Sequence, residues 1–185
     1  MKPLRLIASA KNHQHFGSFT VRVIIMIIHR LDHFTIRTKQ WDVTAEFFIQ
    51  VIGLTRGPRP AFQFPGHWLY ANGQPILHIV SITEDRTGLE AYLGARTVHH
   101  GSGSIDHVSL RCDGLAEMQA HLVSLGIRFH ERVIPEIGEH QLFLEDPNGI
   151  TVEMIFPYSP LDRIVGQAMP QPAMQLPQEH DDDQA

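Results

Sequence analysis

The chain has 185 residues, 43% of them hydrophobic, and a formal charge of −5. That length fits one domain or two small modules with a real core, and a sequence pI near 6.2 offers no basic footprint for nucleic acid or an anionic membrane surface. The single cysteine, Cys112, excludes a disulfide framework and a thiolate zinc site, and no apolar run reaches the about 20 residues of a membrane-spanning helix.

Residues 1–28 read as an N-terminal extension outside the core. Residues 2–11 are basic and mixed, and the apolar stretch at 21–28 carries Arg22 inside it. The small residues Ala8, Ser9 and Ala10 come before that stretch, the reverse of a secretory signal. A cytoplasmic protein is therefore expected. Met26 directly precedes the first strand, and translation is expected to begin there; the intact mass of natively expressed protein tests this.

Module one covers residues 29–80. Residues 29–38 alternate and are β-branched and aromatic, which predicts a strand. Residues 42–52 predict an amphipathic helix with Val43, Phe47 and Val51 in its apolar stripe and Asp42 capping its start. A second strand begins at 54–56. Pro58, Pro60 and Pro65-Gly66 then break the pattern into a loop. Residues 68–70 give a third strand, Asn72-Gly73 a tight hairpin turn and residues 76–80 a fourth strand. The connector, 81–104, holds a short helical turn at 89–93 and a flexible run at 99–104. Module two, 105–157, predicts strand (105–111), helix (114–125), strand (127–133), strand (139–145), a turn at Asp146-Pro147-Asn148-Gly149 and strand (150–156). Residues 158–185, rich in Pro, Gln and acid, predict a disordered tail, and His180 with Asp181 to Asp183 predicts solvation rather than metal binding.

The two modules share a grammar. Leu31-Asp32-His33-Phe34-Thr35-Ile36-Arg37 and Ile105-Asp106-His107-Val108-Ser109-Leu110-Arg111 match in residue type at an offset of 74 (107 − 33). Gly53 and Gly126 close the two helices at an offset of 73 (126 − 53). Each module ends on an apolar strand with one metal-competent side chain, His78 or Glu153, 45 (78 − 33) and 46 (153 − 107) residues after the opening histidine. Self-similarity at a fixed offset means two copies of one unit. Alternate residues of a strand share a face, so paired modules would aim His33, His78, His107 and Glu153 at one cavity. Three imidazoles and a carboxylate suit one divalent ion such as Zn²⁺, Ni²⁺, Fe²⁺, Mn²⁺ or Co²⁺. Arg37 and Arg111 lie on the same faces; they are candidates to hold a substrate carboxylate or phosphate, with a rim salt bridge as the plainer role. His67, Trp68, Tyr70, Gln141 and Phe143 are candidate lining residues, with core packing the plainer role for the aromatics.

The Asp-His strands and the Asp146-Pro147-Asn148-Gly149 turn before Val152-Glu153 resemble the vicinal oxygen chelate superfamily, over about residues 29–157. This family includes glyoxalase I, bleomycin-resistance proteins, methylmalonyl-CoA epimerase and extradiol dioxygenases. The resemblance implies an α+β fold in which two βαβββ modules pair into a curved mixed sheet around a metal cavity. It carries the metal positions onto His33, His78, His107 and Glu153. His78 departs from bacterial-type glyoxalase I, which has Glu there, and from the epimerase, which has Gln. The function implied is a glyoxalase-I-like lyase or isomerase stabilising an enolate-type intermediate on a small oxygenated substrate, with Glu153 as the base. The alternatives are an extradiol-type Fe(II) dioxygenase and a non-enzymatic bleomycin-resistance-like binding protein. A homodimer is expected by the same analogy.

Overall fold

The computed structural model describes residues 29–82 and 85–170. The extension at 1–28, the start expected at Met26, and residues 171–185 with their His-Asp cluster lie outside the described residues. The compact unit carrying both modules begins at Asp32.

Module one runs β1 (Phe34–Thr38), α1 (Trp41–Gln50), β2 (Thr55–Gly57), β3 (Gly66–Ala71) and β4 (Gln74–Ser81). After α2 (Thr87–Leu93), module two runs β5 (His107–Arg111), α3 (Leu115–Ser124), β6 (His130–Ile134), β7 (Glu139–Glu145) and β8 (Thr151–Pro157). A short β9 (Gln167–Ala168) follows. The expected α+β class and the doubled βαβββ order are both present. Within this chain the strands hydrogen-bond as two sheets that do not close on one another: β1-β4-β3-β2 and β5-β8-β7-β6-β9. In each, the opening strand lies parallel to the closing strand, so residues far apart in the chain stand side by side.

Gly53 and Gly126 end the two helices with φ of +89° and +66°, a left-handed backbone that glycine adopts without Cβ strain. The buried face of α1 is Thr44, Ala45 and Phe48, followed by Val51 and Ile52. Val43, placed in the core stripe by its spacing, is exposed; the helix is turned so that its neighbours Thr44 and Ala45 face inward instead. Asp42 does not cap the helix, whose N-cap is Gln40 without a side-chain bond. It sits in the first turn, where the helix dipole favours an acid, and its Oδ1 lies 2.8 Å from His67 Nε2.

One core serves both modules. Phe48 of α1, Leu122 of α3, Leu69 and Leu77 of the first sheet, and Leu142 and Phe156 of the second are all fully buried in one cluster. Each such side chain contributes roughly 1.5–3 kcal/mol by leaving water. The modules are also tied by hydrogen bonds: Asn148 Nδ2 donates to Thr44 Oγ1 at 3.0 Å, and His121 Nε2 to the Gln50 carbonyl at 2.7 Å.

Two segments that read as loose in the sequence make defined contacts. In the run at 99–104, Gly101 N donates to the Asn148 carbonyl at 2.7 Å. In the expected tail, residues 158–170 are built into the second sheet: β9 pairs with β6, and the carboxylate of Glu131, 0% exposed, accepts from the backbone N–H of Val165 at 2.8 Å and from that of Gly166. A Cβ on Gly166 would stand 2.7 Å from the Phe129 ring, so only glycine passes there. The composition reads as disorder, but the backbone of this segment satisfies a buried charge.

Candidate functional site

The alternation of the strands divides each sheet into a core face and an open face. In β1, Ile36 and Thr38 are buried, so Thr35 and Arg37 point the other way. In β4, Leu77 and Ile79 are buried, which leaves His78 on the open face opposite Thr35 and Trp68. The second sheet repeats this: Glu153 faces Ser109 on one side and Phe143 on the other. The register therefore keeps the matched pair Thr35 and Ser109 in step and extends the repeat to one further pair, Trp68 and Phe143.

The four expected metal positions are gathered as two pairs. In module one, the rings of His33 and His78 stack at 3.9 Å, and Trp68 stacks on the far side of His78 at 4.1 Å. In module two, His107 Nε2 lies 3.0 Å from Glu153 Oε2. Among the described residues no three His, Cys, Asp or Glu side chains converge on one metal-competent point. One chain by itself thus holds two half-sets, not the set of four anticipated from the repeat.

Each half-set is prepared in the same way. Asp32 Oδ2 accepts from His33 Nδ1 at 2.7 Å, and Asp106 Oδ2 accepts from His107 Nδ1 at 2.7 Å. With Nδ1–H committed to an aspartate, each ring turns its Nε2 lone pair to the open face. His78 makes its hydrogen bond to the Pro75 backbone, and its Nε2 is buried without a partner. Burial, and then the neighbouring His33, push the His78 pKa down to about 4, so its ring is neutral across the working range. An adjacent acceptor that fixes the tautomer and turns the other nitrogen outward is the usual companion of a metal-binding imidazole. In module two the lone pairs of His107 Nε2 and Glu153 Oε2 face each other, with Ser109 Oγ donating to the same carboxylate oxygen. Two facing lone pairs need a proton or a cation between them. Each pair thus offers donor atoms of the kind a divalent ion takes, two from each module, without the third that would close a site within one chain.

The two candidate substrate arginines have protein partners. Arg37 donates to the carbonyls of Leu93 and Gly94 at 2.9 and 3.0 Å, closing the C-terminal end of α2. Arg111 pairs with Glu139 at 3.0 Å. Of the candidate lining residues, Trp68 and Phe143 stand beside the half-sets, His67 stacks on Trp41 at 4.7 Å, Tyr70 donates to the Pro58 carbonyl, and Gln141 bonds Glu139. Burial, followed by the nearby Asp113 charge, pushes the Cys112 thiol up, in keeping with an inert thiol. Asp32 and Asp106 had no role assigned from the sequence, although both belonged to the repeated motif; their fixed place before each histidine was the signal.

Doubled βαβββ modules, each setting a carboxylate-oriented histidine at the opening strand beside a polar side chain of the closing strand, define a class of fold. The chain belongs to the Glyoxalase/Bleomycin resistance protein/Dioxygenase superfamily, whose model matches residues 30–154. Solved structures of similar fold include a glyoxalase-family protein from Bacillus anthracis, with a TM-score of 0.55 and 16% identity over 73% of this chain and 100% of that one. A lactoylglutathione lyase from Agrobacterium tumefaciens has a TM-score of 0.51 and 18% identity over 69% of this chain and 92% of its own. The antibiotic-binding protein TnmS3 from a Streptomyces species has a TM-score of 0.51 and 17% identity over 72% and 99%. No curated protein sequence matches the chain closely enough to count as a relative. No helix among the described residues is long and apolar enough to cross a membrane.

Proposed function

We propose that the protein is a divalent-metal-dependent enzyme, a glyoxalase-I-like lyase or isomerase acting on a small oxygenated substrate. In this reading His33, His78, His107 and Glu153 hold one ion, and the half-sets are completed where two copies of the chain pair. The observation that carries it is the His107–Glu153 contact at 3.0 Å, made while His107 Nδ1 is committed to Asp106.

A bound Zn²⁺, Ni²⁺, Mn²⁺, Co²⁺ or Fe²⁺ would polarise substrate oxygens and stabilise an oxyanion. The chain's own residues do the rest. Asp32 and Asp106 hold the imidazoles in one tautomer. Glu153, 5% exposed, is the base that takes a proton on its carboxylate, and Ser109 Oγ, donating to Oε2, orients it. Trp68 and Phe143 supply apolar walls that keep water from the reacting atoms.

The test is metal content and molar mass of the full chain, followed by oxygen-free assays on hemithioacetals and α-hydroxy ketones. One ion per chain in a dimer, with turnover without oxygen, is the expected result. Oxygen uptake with a catechol instead points to the dioxygenase chemistry. A second reading, a non-enzymatic binder of aromatic small molecules, is favoured by the three-ring stack of His33, His78 and Trp68. It predicts tight ligand binding in protein stripped of metal.

A further inference from the structure

A third guanidinium on the open face of the second sheet stands apart from the two already described. Arg132 lies on β6 in register with Gln141, which is in register with Ile155, and Ile155 with Arg111. It therefore shares a face with Glu153, two strands across and two residues along, at roughly 12 Å. Its Nε is buried with no hydrogen-bond partner, and its Nη2 reaches only the Met169 thioether at 3.9 Å, a weak acceptor. Among the described residues no carboxylate lies in ion-pair contact with it.

The surroundings aim this charge at the metal half-set. The guanidinium carbon sits 5.4 Å from the centroid of the Phe143 ring, and that ring meets His107 edge-on at 6.2 Å. Arg132, Phe143, His107 and Glu153 line one open cavity of about 1290 Å³. Val165 and Met169, from the strap formed by residues 158–170, form another part of its wall. A half-buried guanidinium with an unmet donor is costly unless an anion completes it, and a planar fork matches a carboxylate or phosphate by two parallel bonds.

We infer that Arg132 is the anchor for an anionic group of the substrate, a carboxylate or a phosphate, held across Phe143 from the reacting oxygens. The inference deepens the reading of the metal site and rests on it for the direction in which the substrate lies. Phe143 then sets the spacing between the anion and the metal, and the strap sets the far wall.

The test uses the full chain, ¹⁵N-labelled and metal-free, titrated in separate arms with acetate and inorganic phosphate while the Arg132 Nε–H resonance is followed. Either anion should shift that resonance and the backbone amides beside it; followed through those amides, Arg132→Gln should bind either anion about tenfold or more weakly with an unchanged circular dichroism spectrum. The arm with the tighter binding names the anion. Arg132→Lys should bind either anion more weakly than the wild type, because an ammonium keeps the charge and loses the two parallel bonds. No shift with either anion, or equal binding by Arg132→Gln, overturns the assignment. A parallel Co²⁺ absorbance titration separates the two proposals. If Co²⁺ binds and Arg132→Gln retains the anions, the anchor falls alone; if Co²⁺ does not bind while anion binding still needs Arg132, the metal reading falls alone.

Discussion

His107 Nε2 meets Glu153 Oε2 at 3.0 Å although the two residues lie on strands 46 (153 − 107) positions apart in the chain. The parallel pairing of β5 with β8 makes this contact, and Ser109, directly opposite Glu153 in that ladder, donates to the same oxygen. Removing either member should strip a donor from the ion. His107→Ala or Glu153→Ala is expected to lower metal affinity more than 10–100-fold, the range typical of losing only a supporting group. His100→Ala, which removes a ring packed on Gly149, should leave metal content unchanged. Elemental analysis of the purified variants checks all three.

Asp32 and Asp106 accept from Nδ1 of His33 and of His107 and so fix each ring's orientation. Asp106→Ala and Asp32→Ala are each expected to weaken metal binding about 10–100-fold while the fold stays intact. Calorimetric titration with Zn²⁺ measures this. Unchanged affinity in both variants would assign the aspartates to the surface alone.

His78 carries a pH signature in the metal-free protein. Its ordinary value is 6.5, and burial and the His33 charge take it down to about 4 in the folded chain. The unfolded chain therefore binds a proton first. The contribution of His78 to stability is complete above about pH 6.5 and is lost as pH falls from there toward 4. Urea unfolding across that window should show falling stability, and His78→Gln should flatten the slope.

The buried pair beneath the second sheet makes a stability prediction. Glu131 and His140 are both fully buried with 2.6 Å between Oε2 and Nε2, and Gln119 Nε2 also donates to Glu131 Oε2 at 2.8 Å. Glu131→Ala is expected to cost about 3–5 kcal/mol in urea unfolding. Replacing both partners by leucine should not restore the loss, because the amides of Val165 and Gly166 lose their acceptor. Faster hydrogen exchange at those two amides in Glu131→Ala would locate the effect in the strap.

Much of this architecture was legible before any coordinates, because a repeat carries information that a single segment lacks. The matched Asp-His strands and the closing glycines predicted two βαβββ modules and placed His33, His78, His107 and Glu153 on open faces. Local spacing was weaker evidence. Val43 fits the stripe of α1 as well as Phe48 does, and only the packing of both modules on one core chose between them. Phe48→Ala is accordingly expected to cost about 3–5 kcal/mol, whereas Val43→Glu should change stability by no more than about 0.5 kcal/mol. The strap at 158–170 was illegible because its hold is backbone donation to Glu131, which composition does not reveal. The partners of Arg37 and Arg111 were illegible too, since both lie on elements distant in sequence.

The most direct test of the shared ion is complementation between copies. One variant lacks His33 and His78, and the other lacks His107 and Glu153; each alone should bind almost no metal. Co-expressed, they should recover a fraction of the wild-type metal per chain, because a mixed pair rebuilds one complete set from the intact half of each copy. A mixture as metal-poor as either variant alone, beside a wild type that binds one ion per chain, would contradict the assignment of those four residues to an ion shared between copies.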